Sequence, residues 1–293
     1  MKTFYIVDVF AQRKYAGNQL AVFQAGNQYS SDKMQILAKE MNYSETTFIL
    51  SDETKNGGFD VRIFTPAREV PFAGHPTLGT AFAIRKYIIR KPVAQVILNL
   101  KVGQIPVSIE NIESGTDWLW MRQKAPQFGE RLNAGETAEA LHLSRNDVDE
   151  RFPVEEVSTG IPFLIVPVKS LAAIKKAKVD LDRFYKLVKG KEAKAPLLFC
   201  QEPYSQNHDL NVRVFADYYQ VPEDPATGSA NGCLAGYLVK NRFFQSGEID
   251  IKVEQGYEIG RPSLLCLKAK DKQYEIEVNV GGQVFPVARG ELE

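Results

Sequence analysis

Apolar and polar residues alternate from the start of the chain, in the manner of a strand over 4–10. A Gly17-Asn18 turn leads to a second short strand over 20–23. Ser30-Ser31-Asp32 can cap a helix whose apolar residues Met34, Leu37, Ala38 and Met41 share one face and which stops near Asn42. The segment 43–50 turns β-branched and aromatic in its second half, so Glu45 stands where a helix gives way to a strand. After a strand over 58–64, residues 77–87 carry apolar side chains on more than one face, the pattern of a buried helix. Pro76, fitted to the first helical position, makes His75 the expected N-cap. Strands over 94–100, 105–109 and, past a Ser114-Gly115 turn, 118–121 complete this half, and Ala125-Pro126-Gln127 breaks the pattern at the expected boundary.

The second half reads as a helix over 134–143, a strand region over 157–168 containing STGIP, and a lysine-rich, helix-like stretch over 171–194 whose charges form a solvated face. Strands over 197–200 and 210–215 precede DPATGSANGCLAGYL, a second buried helix with Ser229 as its expected N-cap. The tail alternates as four short strands over 249–253, 263–267, 274–280 and 284–288.

The halves echo one another. VRIF at 61–64 matches VRVF at 212–215, and Pro71, Gly74, His75 and Ala81 fall opposite Pro225, Gly228, Ser229 and Ala235 without a gap. The spacing, about half the chain, is far beyond the roughly 20–50 residues of a solenoid repeat and points to a duplicated domain. The expected fold class is α+β: two pseudo-symmetric domains, each a barrel-like, mostly antiparallel sheet wrapped around a central apolar helix.

Composition adds exclusions. The 36 basic and 36 acidic residues cancel, so nothing in the net charge attracts nucleic acid or an anionic membrane. Cys200, Cys233 and Cys266 are odd in number and sit in apolar sequence, as buried free thiols of a reducing compartment do. No apolar run approaches the roughly 18–20 residues that span a bilayer, and MKTFYIVDVF lacks the features of a signal peptide. A cytoplasmic protein is expected.

Both central helices begin beside a glycine and a polar residue. Helix N-termini leave backbone N–H groups unpaired and carry partial positive charge, so the implied ligand is a small anion such as a carboxylate. Capping alone is the alternative role for His75 and Ser229. Glu45, His75 and Asp224 have the best claim to acid/base chemistry: among Tyr43, Phe48 and Ile49, desolvation would fit Glu45 to shuttle a proton, although a carboxylate at a strand start is often merely solvated. No GxGxxG or GxxxxGK[ST] run follows a strand, no HExxH or other metal-ligand spacing occurs, and Ser229 is not in GxSxG. His142, within the 134–143 helix, reads as structural and His208 as a loop residue.

At this point the residues resemble the PhzF-like (phenazine-biosynthesis-like) proteins of the diaminopimelate epimerase superfold. The likeness runs through VDVF at 7–10, GNQLAVF at 17–23, NYSETTFIL at 42–50, RIFTPAREVPFAGHPTLGTA at 62–81, STGIPFL at 158–164, DPATGSANGCLAGYL at 224–238, QGYEIGRPS at 255–263 and VGG at 280–282. It implies a first domain of residues 1–127 plus 284–293, a second of 128–283, and a site in the cleft between them. It also implies catalytic Glu45, His75 and Asp224, and substrate contacts at Gly74 and Ser229, to which Gly228 and Asn18 are added as candidate binding residues. The activity implied is a proton-shifting isomerisation without metal or organic cofactor, often by a homodimer. The superfold's two-thiol epimerases carry a cysteine before each central helix; Ala73 and Pro225 stand at the expected places here, so that mechanism is excluded. Gln19 replaces the usual proline after Gly-Asn and leaves the substrate open. Two further readings share the site: a silent small-molecule binding or regulatory protein, and a non-cysteine racemase or epimerase.

Overall fold

The computed structural model describes residues 2–110, 117–219 and 221–292. The chain forms two compact units, Met1–Arg122 with Gly281–Glu293, and Gln123–Val280. The expected Ser114-Gly115 turn lies outside the described residues.

The first unit contains β1 (Lys2–Val9), β2 (Asn18–Phe23), α1 (Ser31–Met41), β3 (Glu45–Ile49), β4 (Phe59–Phe64), the short β5 (Glu69–Val70), α2 (Gly74–Ala83), β6 (Gln95–Leu100), β7 (Gly103–Glu110) and β8 (Trp118–Arg122). The second contains β9 (Gln127–Leu132), α3 (Ala134–Ala140), β10 (Val154–Ser158), β11 (Pro162–Pro167), α4 (Leu171–Lys176), α5 (Leu181–Leu187), β12 (Pro196–Cys200), β13 (Leu210–Val214), α6 (Gly228–Lys240), β14 (Glu248–Gln255) and β15 (Ser263–Asp271). The final strand, β16 (Ile276–Leu292), gives its first residues to the second unit and the rest to the first.

In the first unit the strands run β1-β2-β3-β4-β6-β7-β8-β16, and β16 pairs with β1, closing a barrel. Most pairs are antiparallel; β2–β3 and β4–β6 are parallel. Helix α2 lies against β1, β2, β3, β6, β7 and β8, and all ten of its residues are buried, as a helix apolar nearly all round must be. The fit is close at Gly79, where a Cβ would come within 2.6 Å of Leu20 Cδ2 and 2.8 Å of Val9 Cγ2. Helix α1 instead covers the outside with Met34, Leu37 and Ala38, capped by Ser30 and ended by Asn42 in the left-handed region.

The second unit repeats the plan in the order β9-β10-β11-β12-β13-β14-β15-β16, again with parallel steps, at β11–β12 and β13–β14. Helix α6 packs on β10, β11, β14 and β15 and is buried from Gly228 to Val239. The echo extends to side chains. Arg62 grips Glu69 through two hydrogen bonds of 2.8 and 2.7 Å, and Arg213 grips Glu223 through two of 2.9 and 2.7 Å. Thr77 Oγ1 donates to the Ala73 carbonyl, and Asn231 Nδ2 to that of Thr227, so each helix uses its fourth residue to bind back to its cap.

Several expectations are corrected. Neither His75 nor Ser229 is an N-cap: Ala73 and Thr227 are, and the two polar residues sit second in their helices. A proline marks only the first turn, where no N–H has a helical partner; the first α2 bond is Thr77 N–H to Ala73, so Pro76 costs nothing as third residue. The helix expected over 77–87 ends its α-winding at Ala83 and continues as a π-helical stretch, Ile84–Ile89. The helix expected over 134–143 stops at Ala140, leaving His142 exposed with φ 53° rather than inside a helix. The basic stretch is two short helices, α4 and α5. The last two tail strands are one, because Gly281 lets the strand run on beneath Trp120, whose ring lies 2.3 Å from where a Cβ would be. β9 was not foreseen: it is a largely exposed strand at the end of the sheet path, without apolar alternation.

Candidate active site

In the first unit, β3 brings Glu45 to the start of α2. Glu45 Oε2 lies 3.4 Å from His75 Nε2, with the histidine side chain 6% exposed and the glutamate 19%. The opposite edge of the imidazole is held by the backbone of Gln19 in β2. Nε2 makes no hydrogen bond, which leaves Nδ1–H as the donor to the Gln19 carbonyl. Burial lowers the pKa of His75 to about 3, against a smaller opposing effect of the Gln19 bond. The ring is therefore neutral near pH 7, with its unprotonated Nε2 3.4 Å from Glu45 Oε2. Asn18, one residue before Gln19, is buried at the start of β2, following Gly17, whose φ of 69° and contact with the Val9 carbonyl leave no room for a side chain.

In the second unit, Asp224 and Ser229 are each only 8% exposed. Thr227 Oγ1 donates to Asp224 Oδ2 at 2.5 Å, so the carboxylate at the mouth of α6 is held by the residue that caps the helix. Gln255 lies behind this turn: its Nε2 donates to the Asp224 carbonyl at 2.7 Å and to Thr227 Oγ1 at 3.0 Å. Its Oε1 accepts from Thr227 N at 3.2 Å and from Asn231 Nδ2 at 2.8 Å. Gly256 carries the chain onward with φ 78°, against the carbonyls of Pro225 and Arg261.

Helices α2 and α6 share an electrostatic property. Gly74 and His75 in one, and Gly228, Ser229 and Ala230 in the other, have N–H groups that precede the first intrahelical bond. Neither first turn holds an acidic residue, whereas α1, α3 and α5 carry Asp32, Glu136 and Asp182 there. Inside their own first turns, α2 and α6 therefore lack the acidic residue that α1, α3 and α5 carry.

The structure brings Glu45 and His75 together in one unit and Asp224, Gly228 and Ser229 together in the other. Gln255, Thr227, Asn231 and the Gln19 carbonyl were not picked out from the sequence; the segments QGYEIGRPS, DPATGSANGCLAGYL and GNQLAVF contain them without giving their roles. His208 lies in a loop as expected, but its ring is buried on Glu254 at 2.7 Å. The helix starts also correct one correspondence: the partner of Ala73 before the second central helix is Thr227, not Pro225. The thiols stay protonated near neutral pH, since burial pushes Cys200 and Cys266 up to about 12 and Cys233 up to about 11.

A buried helix inside a closed mixed barrel, with a second buried helix against a mixed sheet in the second unit, is the diaminopimelate epimerase-like fold. The model of the phenazine biosynthesis-like protein family matches residues 7–290, and the chain belongs to this PhzF-like family. Trans-2,3-dihydro-3-hydroxyanthranilate isomerase of Pseudomonas aeruginosa is 33% identical over 295 residues, covering 100% of both chains. An uncharacterised isomerase of Clostridium acetobutylicum is 30% identical, over 98% of this chain and 97% of its own. A PhzF family phenazine biosynthesis protein of Bacillus anthracis superimposes with a TM-score of 0.91 at 28% identity, over 100% of this chain and 99% of that one. A hydroxyproline epimerase of Agrobacterium vitis shares the fold alone, with a TM-score of 0.63 at 9% identity over 99% and 90% of the two chains. The family is one of isomerases, and this chain is an isomerase. Among the described residues no helix is long and apolar enough to cross a membrane.

Proposed function

We propose that the protein shifts a proton on a small carboxylate-bearing substrate, without metal or organic cofactor, and that Glu45 is the acid/base. The observation that carries the reading is the 3.4 Å approach of Glu45 to a neutral His75. With the Nδ1 proton committed to Gln19, Nε2 only accepts, so the contact is attractive when Glu45 carries a proton and repulsive when it does not. The protonated acid is held in place for return of the proton. The distance exceeds a formed hydrogen bond, as is common in catalytic pairs before substrate tightens them.

In the reaction Glu45 takes a proton from one carbon of the substrate. The electron pair of that C–H bond moves along an adjoining double bond, and the protonated Glu45 delivers the proton to a carbon further on. Nothing is oxidised or reduced overall. Charge develops on the substrate as the C–H bond breaks, and the free N–H groups beginning at Gly74, and those of Gly228 and Ser229, are the donors we assign to the substrate's carboxylate and to that charge. Asp224 and Asn18 complete the proposed binding set, and a cytoplasmic homodimer is the proposed assembly.

The experiment is proton NMR in heavy water, with the protein and a panel of cyclic and amino carboxylic acids that includes trans-2,3-dihydro-3-hydroxyanthranilate. Deuterium entering one acid at carbon, with a shifted double bond in the product, supports the reading. Tight binding of an acid with no exchange and no product would make the protein a silent binder and overturn it.

A further inference from the structure

Among the matched strand positions at which the two units differ, one lies behind the Asp224 turn. In the first unit β4 and β6 run parallel with Asp60 beside Asn99, and Asn99 Nδ2 donates to Asp60 Oδ1 at 2.8 Å. In the second unit β13 and β14 run parallel with Asn211 beside Glu254, and Asn211 Nδ2 donates to Glu254 Oε2 at 3.2 Å. The next residue along is Leu100 in one and Gln255 in the other. Leu100 is an ordinary buried apolar residue, 8% exposed. Gln255 is 0% exposed, and burying an amide there is tolerable only because every part of it is used.

The use is complete. A glutamine amide offers two N–H bonds and two acceptor lone pairs. Both donors are engaged, by the Asp224 carbonyl and Thr227 Oγ1, and both acceptor sites, by Thr227 N and Asn231 Nδ2. The orientation is unambiguous, because a carbonyl oxygen takes only the Nε2 end and a backbone N–H only the Oε1 end. The bond to Thr227 Oγ1 has a directional effect: with a lone pair of the hydroxyl occupied by Gln255, its proton is left for Asp224 Oδ2.

We propose that Gln255 is a positioning residue for the reaction, setting the Asp224 carboxylate and the N–H groups at the start of α6 through Thr227. The first unit has no counterpart, so the second unit's turn is the specialised one. This inference rests on the assignment of Asp224, Gly228 and Ser229 to the substrate.

The test uses Gln255→Leu, which installs the side chain found at the matched place, and Gln255→Glu. Hydrogen exchange of the free protein comes first: in Gln255→Leu the Thr227 amide is expected to exchange at least about tenfold faster, with the rest of α6 unchanged. In the heavy-water assay kcat is expected to fall about 10²-fold, the order that a 1 Å misplacement costs, with KM and the melting midpoint changing far less. In Gln255→Glu only the protonated acid retains a donor, so its kcat relative to wild type is expected to rise as pH is lowered from about 8 to about 5.5. Wild-type kcat in Gln255→Leu, or a fall in kcat tracking a lost fold, would overturn the inference and leave the assignment of the reaction standing. Wild-type protein that exchanges no acid would overturn the proposed reaction itself, and the positioning role with it.

Discussion

Burial of His75 in neutral form carries a stability signature. Its pKa lies at about 3 in the folded protein against 6.5 ordinarily. Because the folded value is the lower one, the stabilisation is fully present above pH 6.5 and is lost as pH falls toward 3, where the unfolded chain binds a proton that the folded chain refuses. The loss runs at about 1.4 kcal/mol per pH unit and reaches about 2 kcal/mol at pH 5. The comparison is made between Glu45→Gln and Glu45→Gln/His75→Asn, so that titration of the carboxyl drops out. Trp118 and Trp120, the chain's only tryptophans, both lie on β8 of the first unit, so denaturant unfolding followed by tryptophan fluorescence reads the unit that holds His75. The stability difference between the two proteins is expected to shift by about 2 kcal/mol between pH 8 and pH 5, with the histidine-bearing protein losing ground. A difference flat over this range would show that His75 titrates freely and that the argument for a neutral acceptor is wrong.

Other parts of the structure are open to direct tests. Gly256→Ala forces a side chain into a left-handed backbone 2.4 Å from the Arg261 carbonyl and 2.6 Å from that of Pro225. It should destabilise the second unit by about 2 kcal/mol or more, read as a fall in the denaturant midpoint followed by amide exchange of β14 and α6. The three buried cysteines, with thiols pushed up to about 11 or 12, should resist a thiol reagent at pH 8 in the folded protein and react fully once it is unfolded. Modification of the native protein at the rate of a free thiol would contradict their burial.

How much of this was legible in the sequence depended on range. Helix α1 was readable because its signals are local: Ser30 as cap, apolar residues at helical spacing, Asn42 at the end. The burial of α2 and α6 was readable from apolar residues on every face. Glu45 could be placed at a strand start, but its contact with His75 depends on β3 lying beside α2, which no local pattern encodes. The start of α2 was misjudged by two residues because a proline fits anywhere in a first turn, and that of α6 because a serine in the first turn resembles a cap. Gly281-Gly282 looked like a break between strands, when the missing side chain at Gly281 is what admits Trp120. Gln255 escaped notice because its four partners come from residues 224–231, and a glutamine at the end of an alternating strand looks like any solvent-facing polar residue.

The central claim concerns one carboxyl group, and deuterium incorporation into a turned-over carboxylic acid measures its work directly. With Glu45→Gln, whose circular dichroism should match the wild type, incorporation is expected to fall about 10²–10⁴-fold, the range that general acid–base catalysis supplies. Incorporation at the wild-type rate in folded Glu45→Gln would mean that another group moves the proton.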